Sequence, residues 1–500
     1  MRNRRRPPLE LLVFVVGSAT LGVEIAAARL IAPFFGDSTI VWANTIAVVL
    51  VALSVGYWFG GRMADRHPHL EGLCLLVLVS SILLAVVPIV AQPLLSLSVD
   101  AFDTVSIGGF AGSLLGVLAL VAIPVLMLGA VSPWAIRLKL RAVEDSGETA
   151  GRMYAISTVG SLVGTFGASL LLIPLVGTQR TFVGFALALA VVAALGLGRR
   201  WLLAPLAVGA LLAVPVGTVK AAEEGKVVHE AETEYQYARV VQYPDGRRQL
   251  ELNEGQAIHS VWRPGTVLTG DYWDGYLTLP FTLRRDPPRR VAMLGVAGGT
   301  VASAYARYFP STRIDAVEID GELLDIGRRW FGLRDRPQLR TFDQDARPFL
   351  RHTRARYDFI FLDTYRQPYI PFYLATKEFF ALARDRLAPG GAVIVNVGHP
   401  EGSRKLEQVL TATMRSALPY VLRDPVRSTN TLLIASTAPP SRARLREAAR
   451  RLPVALRPVA LADARRLAAP LPGGSVYTDD KAPVEWLVDK SLIDYAEHDR

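Results

Sequence analysis

The chain has 500 residues, of which 51% are hydrophobic and only 20% charged, with a mean hydropathy of +0.28 and a formal net charge of +10. That balance excludes intrinsic disorder, a collagen-like repeat and a small disulfide-stapled scaffold, and it is unusual for a wholly water-soluble protein. The single cysteine, Cys74, lies in an apolar run, so no intrachain disulfide is available.

About 25 of the 100 charged residues precede Glu223, so an apolar first half is followed by an ordinary soluble one. A helix needs about 20 apolar residues to cross the hydrocarbon core. Seven stretches reach or approach that length: Leu9 to Phe35, Ile40 to Gly61, Gly72 to Gln92, Ile107 to Ile136, Met153 to Val176, Phe182 to Leu197 and Trp201 to Val219. A basic stretch precedes the first, as in a signal peptide, but six further spans read it as an anchored helix. Arg2, Arg4, Arg5, Arg6, Arg62, Arg66, Arg137 to Arg141, Arg199 and Arg200 all fall on one side, taken as cytoplasmic. The opposite loop, Pro93 to Ser106, carries Asp100 and Asp103 and no basic residue. The basic excess is therefore a topology signal, and no nucleic-acid partner is expected. Seven crossings would leave the C-terminal half outside; the seventh, interrupted by Pro205 and Pro215, is the weakest. Within the first span Glu24 and Arg29 form a candidate membrane polar pair, read as part of a polar pathway, as an internal ion pair, or as Arg29 snorkelling to the interface. Gly160 and Gly164 have the spacing that lets two helices approach closely.

From about Glu230 the pattern changes to short strands. Tyr237 to Tyr243 alternates, Asp245-Gly246 signals a hairpin turn, and Gln249 to Asn253 alternates back, which predicts a small β-cap. Apolar runs at Val291 to Leu294, Arg313 to Val317, Phe359 to Leu362 and Ala392 to Val397 are separated by helical stretches. Strands alternating with helices predict a mostly parallel, doubly wound sheet, which binds ligands at the carboxyl ends of its strands.

Candidate chemistry gathers at those ends. Gly295, Gly298 and Gly299 form a turn between a strand and a helix, where bare backbone can approach a ligand. Glu318, about 20 residues on, ends the next strand and can accept bonds from both ribose hydroxyls, while Asp320 suits a helix cap. Asp345-Ala346 follows a further strand, with a carboxylate able to accept from an adenine amino group. Asp363 tips the strand Tyr357 to Leu362. The order predicts a nucleoside-binding α/β fold. Tyr365, Tyr369, Phe372 and Tyr373 are read as an aromatic lid or as ordinary packing, and no histidine spacing suggests a metal site.

This order resembles the class I S-adenosylmethionine-dependent enzymes and, more closely, the spermidine synthase family, over about Glu230 to Tyr420. The residues that carry the resemblance are Glu234 to Gln236, Gln256, Tyr272, Leu279-Pro280, the glycine turn, Glu318, Asp345-Ala346 and Asp363. Gly60 to Arg66, Gly151 to Ala155 and Tyr477 to Glu485 are similar to the fused major-facilitator/spermidine-synthase-like membrane proteins. The resemblance implies that Gln236, Glu318 and Asp345 hold the nucleoside, that Tyr272 lines the amine site, and that Asp363 is the catalytic acid/base. Trp273, Tyr365 and Arg366 complete the expected substrate site. Three departures stand out. Ala297 replaces an Asp of the glycine loop, Trp273 replaces a His while Asp274 keeps the acid that follows, and Thr364 to Pro368 lacks a second carboxylate. An Asp at 297 would repel the carboxylate of intact S-adenosylmethionine, whereas Ala would not.

The expected protein is an all-α multi-pass membrane bundle of about seven helices over 1–220, a β-hairpin cap over 221–285, and a Rossmann-like α/β domain over 286–490. Its expected function is aminopropyl transfer from decarboxylated S-adenosylmethionine to an amine such as putrescine, making it a spermidine-synthase-like transferase of polyamine biosynthesis. The alternatives are a methyltransferase using S-adenosylmethionine itself, and a polyamine transporter or sensor whose soluble domain only binds ligand. Expected partners are a small amine and the lipid bilayer, with a homo-oligomer compatible. No metal or prosthetic group is expected. The soluble domain is expected in the cytoplasm, where both donors are made, against the parity of the spans.

Overall fold

The computed structural model describes residues 9–36, 39–102, 108–140, 142, 145–214, 219–222, 224–253, 257–365 and 369–488. Arg2, Arg4, Arg5, Arg6, Asp103, Arg141, Pro215, Glu223, Gln256, Arg366, Gln367 and Pro368 lie outside that set. The chain divides into two compact units, Met1–Ala221 with Glu232–Tyr237, and Ala222–Ala231 with Ala238–Arg500.

The first unit is helical. It contains α1 (Leu9–Phe35), α2 (Thr39–Arg66), α3 (Leu70–Phe102), α4 (Gly108–Gly129), α5 (Val131–Lys139), α6 (Ser146–Gly167), α7 (Ile173–Val176), α8 (Thr178–Leu197) and α9 (Leu203–Ala210). A π-turn at Ala168–Leu172 joins α6 to α7. Among the described residues six spans are long and apolar enough to cross a membrane, because α4 runs into α5 and α6 runs through α7. The expected seventh is not a regular span. Pro205 sits in α9, which holds 8 residues between 3-10 turns at Arg199–Trp201 and Leu211–Ala213, far short of the length a crossing helix needs.

Small residues bring the helices together, because they let backbones approach closely. A Cβ on Gly164 would lie 1.9 Å from the Ser18 carbonyl oxygen, and one on Gly160 would lie 2.2 Å from that of Phe14. Thus α1 and α6 touch backbone to backbone. Buried polar groups find partners across helices: Asn44 Nδ2 donates to Ser113 Oγ (2.9 Å) and Ser81 Oγ to the Ala186 carbonyl (2.7 Å).

The two ends of this bundle differ. One gathers Glu10, Asp65, Arg137, Lys139 and Arg152 in ion pairs. At the other, the chain returns: Gly209 lies beside Leu187, half-way along α8, and the Lys220 ammonium stands 5.7 Å from the Phe34 ring. Thr178 N donates to Glu232 Oε2 (2.6 Å), and Arg29 donates to the carbonyls of Thr233 and Glu234. Of the readings for Arg29, this fits the one in which it extends toward the end of its helix and not the ion pair with Glu24. Glu24, about 1.4 helical turns before Arg29 on α1, has no ion-pair partner among the described residues. Arg29 instead reaches the end of its helix and satisfies backbone oxygens there.

The second unit begins with a four-stranded sheet rather than a hairpin alone. Its strands are β1 (Lys226–Glu232), β2 (Tyr237–Gln242), β3 (Arg248–Leu252) and β4 (Ile258–Trp262), in that order. The β2–β3 hairpin turns at Asp245-Gly246, where Gly246 has φ +82° and Asp245 Oδ1 accepts from Arg247 N (2.9 Å). A seven-stranded sheet follows, built from β5 (Arg290–Leu294), β6 (Arg313–Glu318), β7 (Leu339–Asp343), β8 (Tyr357–Leu362), β9 (Leu387–Gly398), β10 (Tyr420–Pro425) and β11 (Asn430–Ser436). Their order is β10-β11-β9-β8-β5-β6-β7, with β5 to β9 parallel and β10 and β11 antiparallel. These strands read as continuous apolar runs because helices cover both faces. The strand order switches direction between β5 and β8, so a crevice opens at their carboxyl ends.

Candidate active site

Strand register alone brings the predicted residues to that crevice. Leu294 pairs with Val317 and with Leu362, so Gly295, Glu318 and Asp363 are the next residues on three adjacent strands. Leu362 also pairs with Val395, which sets Asn396 beside Asp363. On β11, Asn430 pairs with Gly398. A cavity of about 460 Å3 opens there, lined among others by Tyr272, Trp273, Gly295, Ala297, Asp363 and Tyr365.

The turn after β5 needs unusual backbone. Gly295, Ala297 and Gly299 have φ of +80°, +47° and +84°. A Cβ at 295 would sit 2.2 Å from the Asp363 carbonyl oxygen, so glycine lets the two strand tips close. Ala297 adopts the left-handed region with a side chain, at some cost in strain. Its N–H and that of Val296 are held by Glu318 Oε2 at 2.8 and 2.9 Å. Gly298 N donates to Ser260 Oγ (2.9 Å) and, like Gly299, does not line the cavity. Glu318 is buried, which pushes its carboxyl up, while the backbone N–H bonds of Ala297, Val296 and Asp320 oppose this. It braces the loop from beneath rather than lining the cavity. Asp320 precedes the helix Gly321–Trp330 but makes no side-chain capping bond to it.

Asp345 also departs from the expected picture. Its Oδ1 caps the helix Ala346–His352 by accepting from Arg347 N (2.7 Å), and its Oδ2 accepts from the Tyr373 hydroxyl (2.6 Å). The C-terminal Tyr477 to Glu485 segment meets this corner: Arg347 makes a bidentate pair with Asp479 at 2.9 and 2.6 Å. Asp345 and Ala346 lie outside the cavity lining, and Gln236 is buried in the β1–β2 turn of the first unit with its carbonyl bonded to Thr233.

Asp363 faces the cavity. Its Oδ2 accepts from the Tyr272 hydroxyl (3.1 Å) and its Oδ1 from Asn396 Nδ2 (2.9 Å). Burial pushes its carboxyl from 3.8 up to about 6; the Asn396 and Tyr272 bonds hold it down, and the charge of Glu318 adds to the rise. Asn396 Oδ1 in turn accepts from Asn430 Nδ2 (3.1 Å), so the amide can point only its NH2 at Asp363. Tyr365 is pinned by its hydroxyl, which donates to the Asn396 carbonyl (3.1 Å) and accepts from Gly398 N. Tyr272 stacks on Trp273 with ring centroids 4.3 Å apart, and burial and the neighbouring Asp363 raise its hydroxyl well above the usual value. The cavity therefore presents the Asp363 carboxylate within a wall of aromatic rings and amides.

Asp274 does not join it. Both its oxygens are used by Thr269 N, Thr269 Oγ1 and Gly270 N, so it holds the preceding turn. Asp271, one residue before Tyr272, is the acid that lines the cavity, paired with Arg427 at 2.8 Å. The aromatic lid does not assemble as a group. Tyr365 lines the cavity, Tyr369 is buried in the core, Phe372 is half exposed and Tyr373 bonds Asp345. His259, His399, Asn396 and Asn430 also line the cavity and were not singled out from the sequence as a site. Only Asn396 left a trace there: it is the one polar side chain in the buried run Ala392 to Val397.

A Rossmann-like crevice with an acid at the tip of β8 defines the class. Residues 279–432 match the spermine/spermidine synthase domain family. A "Probable polyamine aminopropyl transferase" of Bifidobacterium longum is 31% identical over 195 residues, 39% of this chain and 42% of that one. A polyamine aminopropyltransferase of Vibrio vulnificus is 28% identical over 246 residues, covering 48% of this chain and 81% of its own. Polyamine aminopropyltransferase 1 of Streptomyces coelicolor is 26% identical over 448 residues, 82% of this chain and 79% of that one. The chain thus spans less than half of the first of these relatives and about four fifths of the other two. Its C-terminal region carries a spermidine synthase domain, behind a helical region with six apolar helices.

Proposed function

We propose that the chain is a membrane-anchored aminopropyltransferase that uses decarboxylated S-adenosylmethionine as co-substrate and a small amine as acceptor. The observation that carries this reading is Asp363, held by Tyr272 and Asn396 at the wall of an aromatic cavity. An amine attacks carbon only when deprotonated, yet alkyl ammonium groups stay protonated near neutrality. With its carboxyl near 6, Asp363 is ionised at neutral pH and still basic enough to accept a proton. The amine nitrogen forms a bond to the carbon next to the sulfonium, the C–S bond breaks with its electrons going to sulfur, and the ammonium proton passes to Asp363. The neutral thioether leaves. Tyr272 and Trp273 exclude water and orient the amine, and holding it in line with the C–S bond supplies much of the acceleration. The glycine loop, braced by Glu318, is the bare backbone against which the nucleoside would lie.

A second reading, methyl transfer from intact S-adenosylmethionine, is favoured by Ala297. It lines the cavity and puts no carboxylate where the donor's own carboxylate would lie. Incubation of the full chain in detergent with each donor and putrescine, followed by product mass analysis, separates the two. Aminopropyl addition supports the first reading, and methyl addition overturns it.

The bundle supports a placement as well. The basic loop residues mark one end, and the positive-inside rule gives that end to the cytoplasm. Lys220 stands at the opposite end, over Phe34. This supports the helical unit as a membrane anchor whose basic loops face the cytoplasm.

A further inference from the structure

A second pocket of about 330 Å3 lies beside the first, and Thr300 and Ala302 line both. Four arginines line it, Arg263, Arg307, Arg334 and Arg336, and none of its lining residues is acidic. None of the four has an ion-pair partner among the described residues. Elsewhere in this unit Arg290, Arg328, Arg340 and Arg347 do meet carboxylates, so what sets the pocket apart is four arginines around one cavity with no acid in its lining. Arg336 donates through Nη1 to the Pro310 carbonyl (3.3 Å), but its Nε and Nη2 are buried without a hydrogen-bond partner, as is Ser303 Oγ in the same lining. Buried guanidinium donors are costly when unsatisfied, and a native site retains them where something fills the gap.

We propose that this pocket binds the phosphate group of a small organic phosphate. A planar guanidinium fork matches phosphate oxygens in a bidentate way, and four unneutralised arginines around one cavity favour a multiply charged oxyanion over a single carboxylate. Trp262, Phe331 and Leu333 supply an apolar wall for the rest of the molecule. Thr300 opens the helix that follows the glycine loop and exchanges bonds with Val261 of β4, its Oγ1 accepting at 3.0 Å and donating at 3.3 Å. A ligand in the pocket therefore touches the same residues that shape one wall of the candidate active site, and it is positioned as an effector.

The test is calorimetric titration of the full chain in detergent with inorganic pyrophosphate and with AMP. It reads binding alone and does not depend on any turnover. Saturable binding is expected, weakening as salt rises. It should fall tenfold or more in Arg336→Gln, which loses a charged donor set. The exposed pair Arg307→Gln/Arg334→Gln should lower it as well and keeps the test valid if the half-buried Arg336 variant does not fold. Competition against pyrophosphate by AMP or by dihexanoyl phosphatidic acid identifies the source as soluble or lipid, and either result supports a phosphate site. Absence of saturable binding by pyrophosphate and AMP, or binding unchanged in both variants, would overturn the proposal.

Discussion

Asn396 offers a graded test of how Asp363 is set. Its Nδ2 donates to Asp363 Oδ1 at 2.9 Å and is the strongest influence holding that carboxyl down against burial. A hydrogen bond to a charged group contributes about 1.5–3 kcal/mol, and about 1.4 kcal/mol corresponds to one pH unit. Allowing for water that takes the place of the amide, Asn396→Ala should raise the carboxyl by about one unit, from about 6 to about 7. The proton acceptor must be ionised, so activity is present above this midpoint and falls tenfold per unit below it. The assay is kcat/KM against pH from 5 to 9, which reports the free enzyme. The amine stays protonated over that range and adds no acidic limb of its own. At pH 6.5 the variant should be about threefold slower than the parent beyond any pH-independent loss, with that extra gap closed by pH 8.5. An unmoved midpoint, or an equal loss at every pH, would show that Asn396 shapes the cavity without tuning the acid.

Two further outcomes follow from geometry. Gly295→Ala puts a methyl 2.2 Å from the Asp363 carbonyl at a φ of +80°; thermal unfolding should show a loss of about 1–3 kcal/mol, and turnover should drop with it. The returning stretch after α8 predicts that reporter fusions placed after Arg200 and after Lys220 report opposite faces of the membrane. The same face for both would refute the return that Gly209 beside Leu187 and Lys220 beside Phe34 mark.

The parallel sheet was legible because its strands are unbroken apolar runs, and the tip residues Glu318 and Asp363 follow from counting to the ends of those runs. Direction was not legible. Asp274 follows Tyr272 as an acid should, yet its oxygens turn to the backbone of Thr269 and Gly270. Asp345 and Glu318 look equivalent to Asp363 in the sequence, but they brace a helix and a loop, since local backbone donors compete for any carboxylate near a turn. The seventh stretch is not a regular helix for a related reason. A hydropathy window counts Trp201 to Val219 as apolar and does not register that Pro205 and the flanking 3-10 turns leave only Leu203–Ala210 helical. Strands β10 and β11, whose antiparallel return delivers Asn430 to the cavity, lie beyond any motif.

The most direct measurement is donor binding and turnover of Asp363→Asn side by side. The account predicts that decarboxylated S-adenosylmethionine binds within a few-fold of the parent while aminopropyl transfer falls about 10²–10⁴-fold. Transfer retained within tenfold at neutral pH would contradict it.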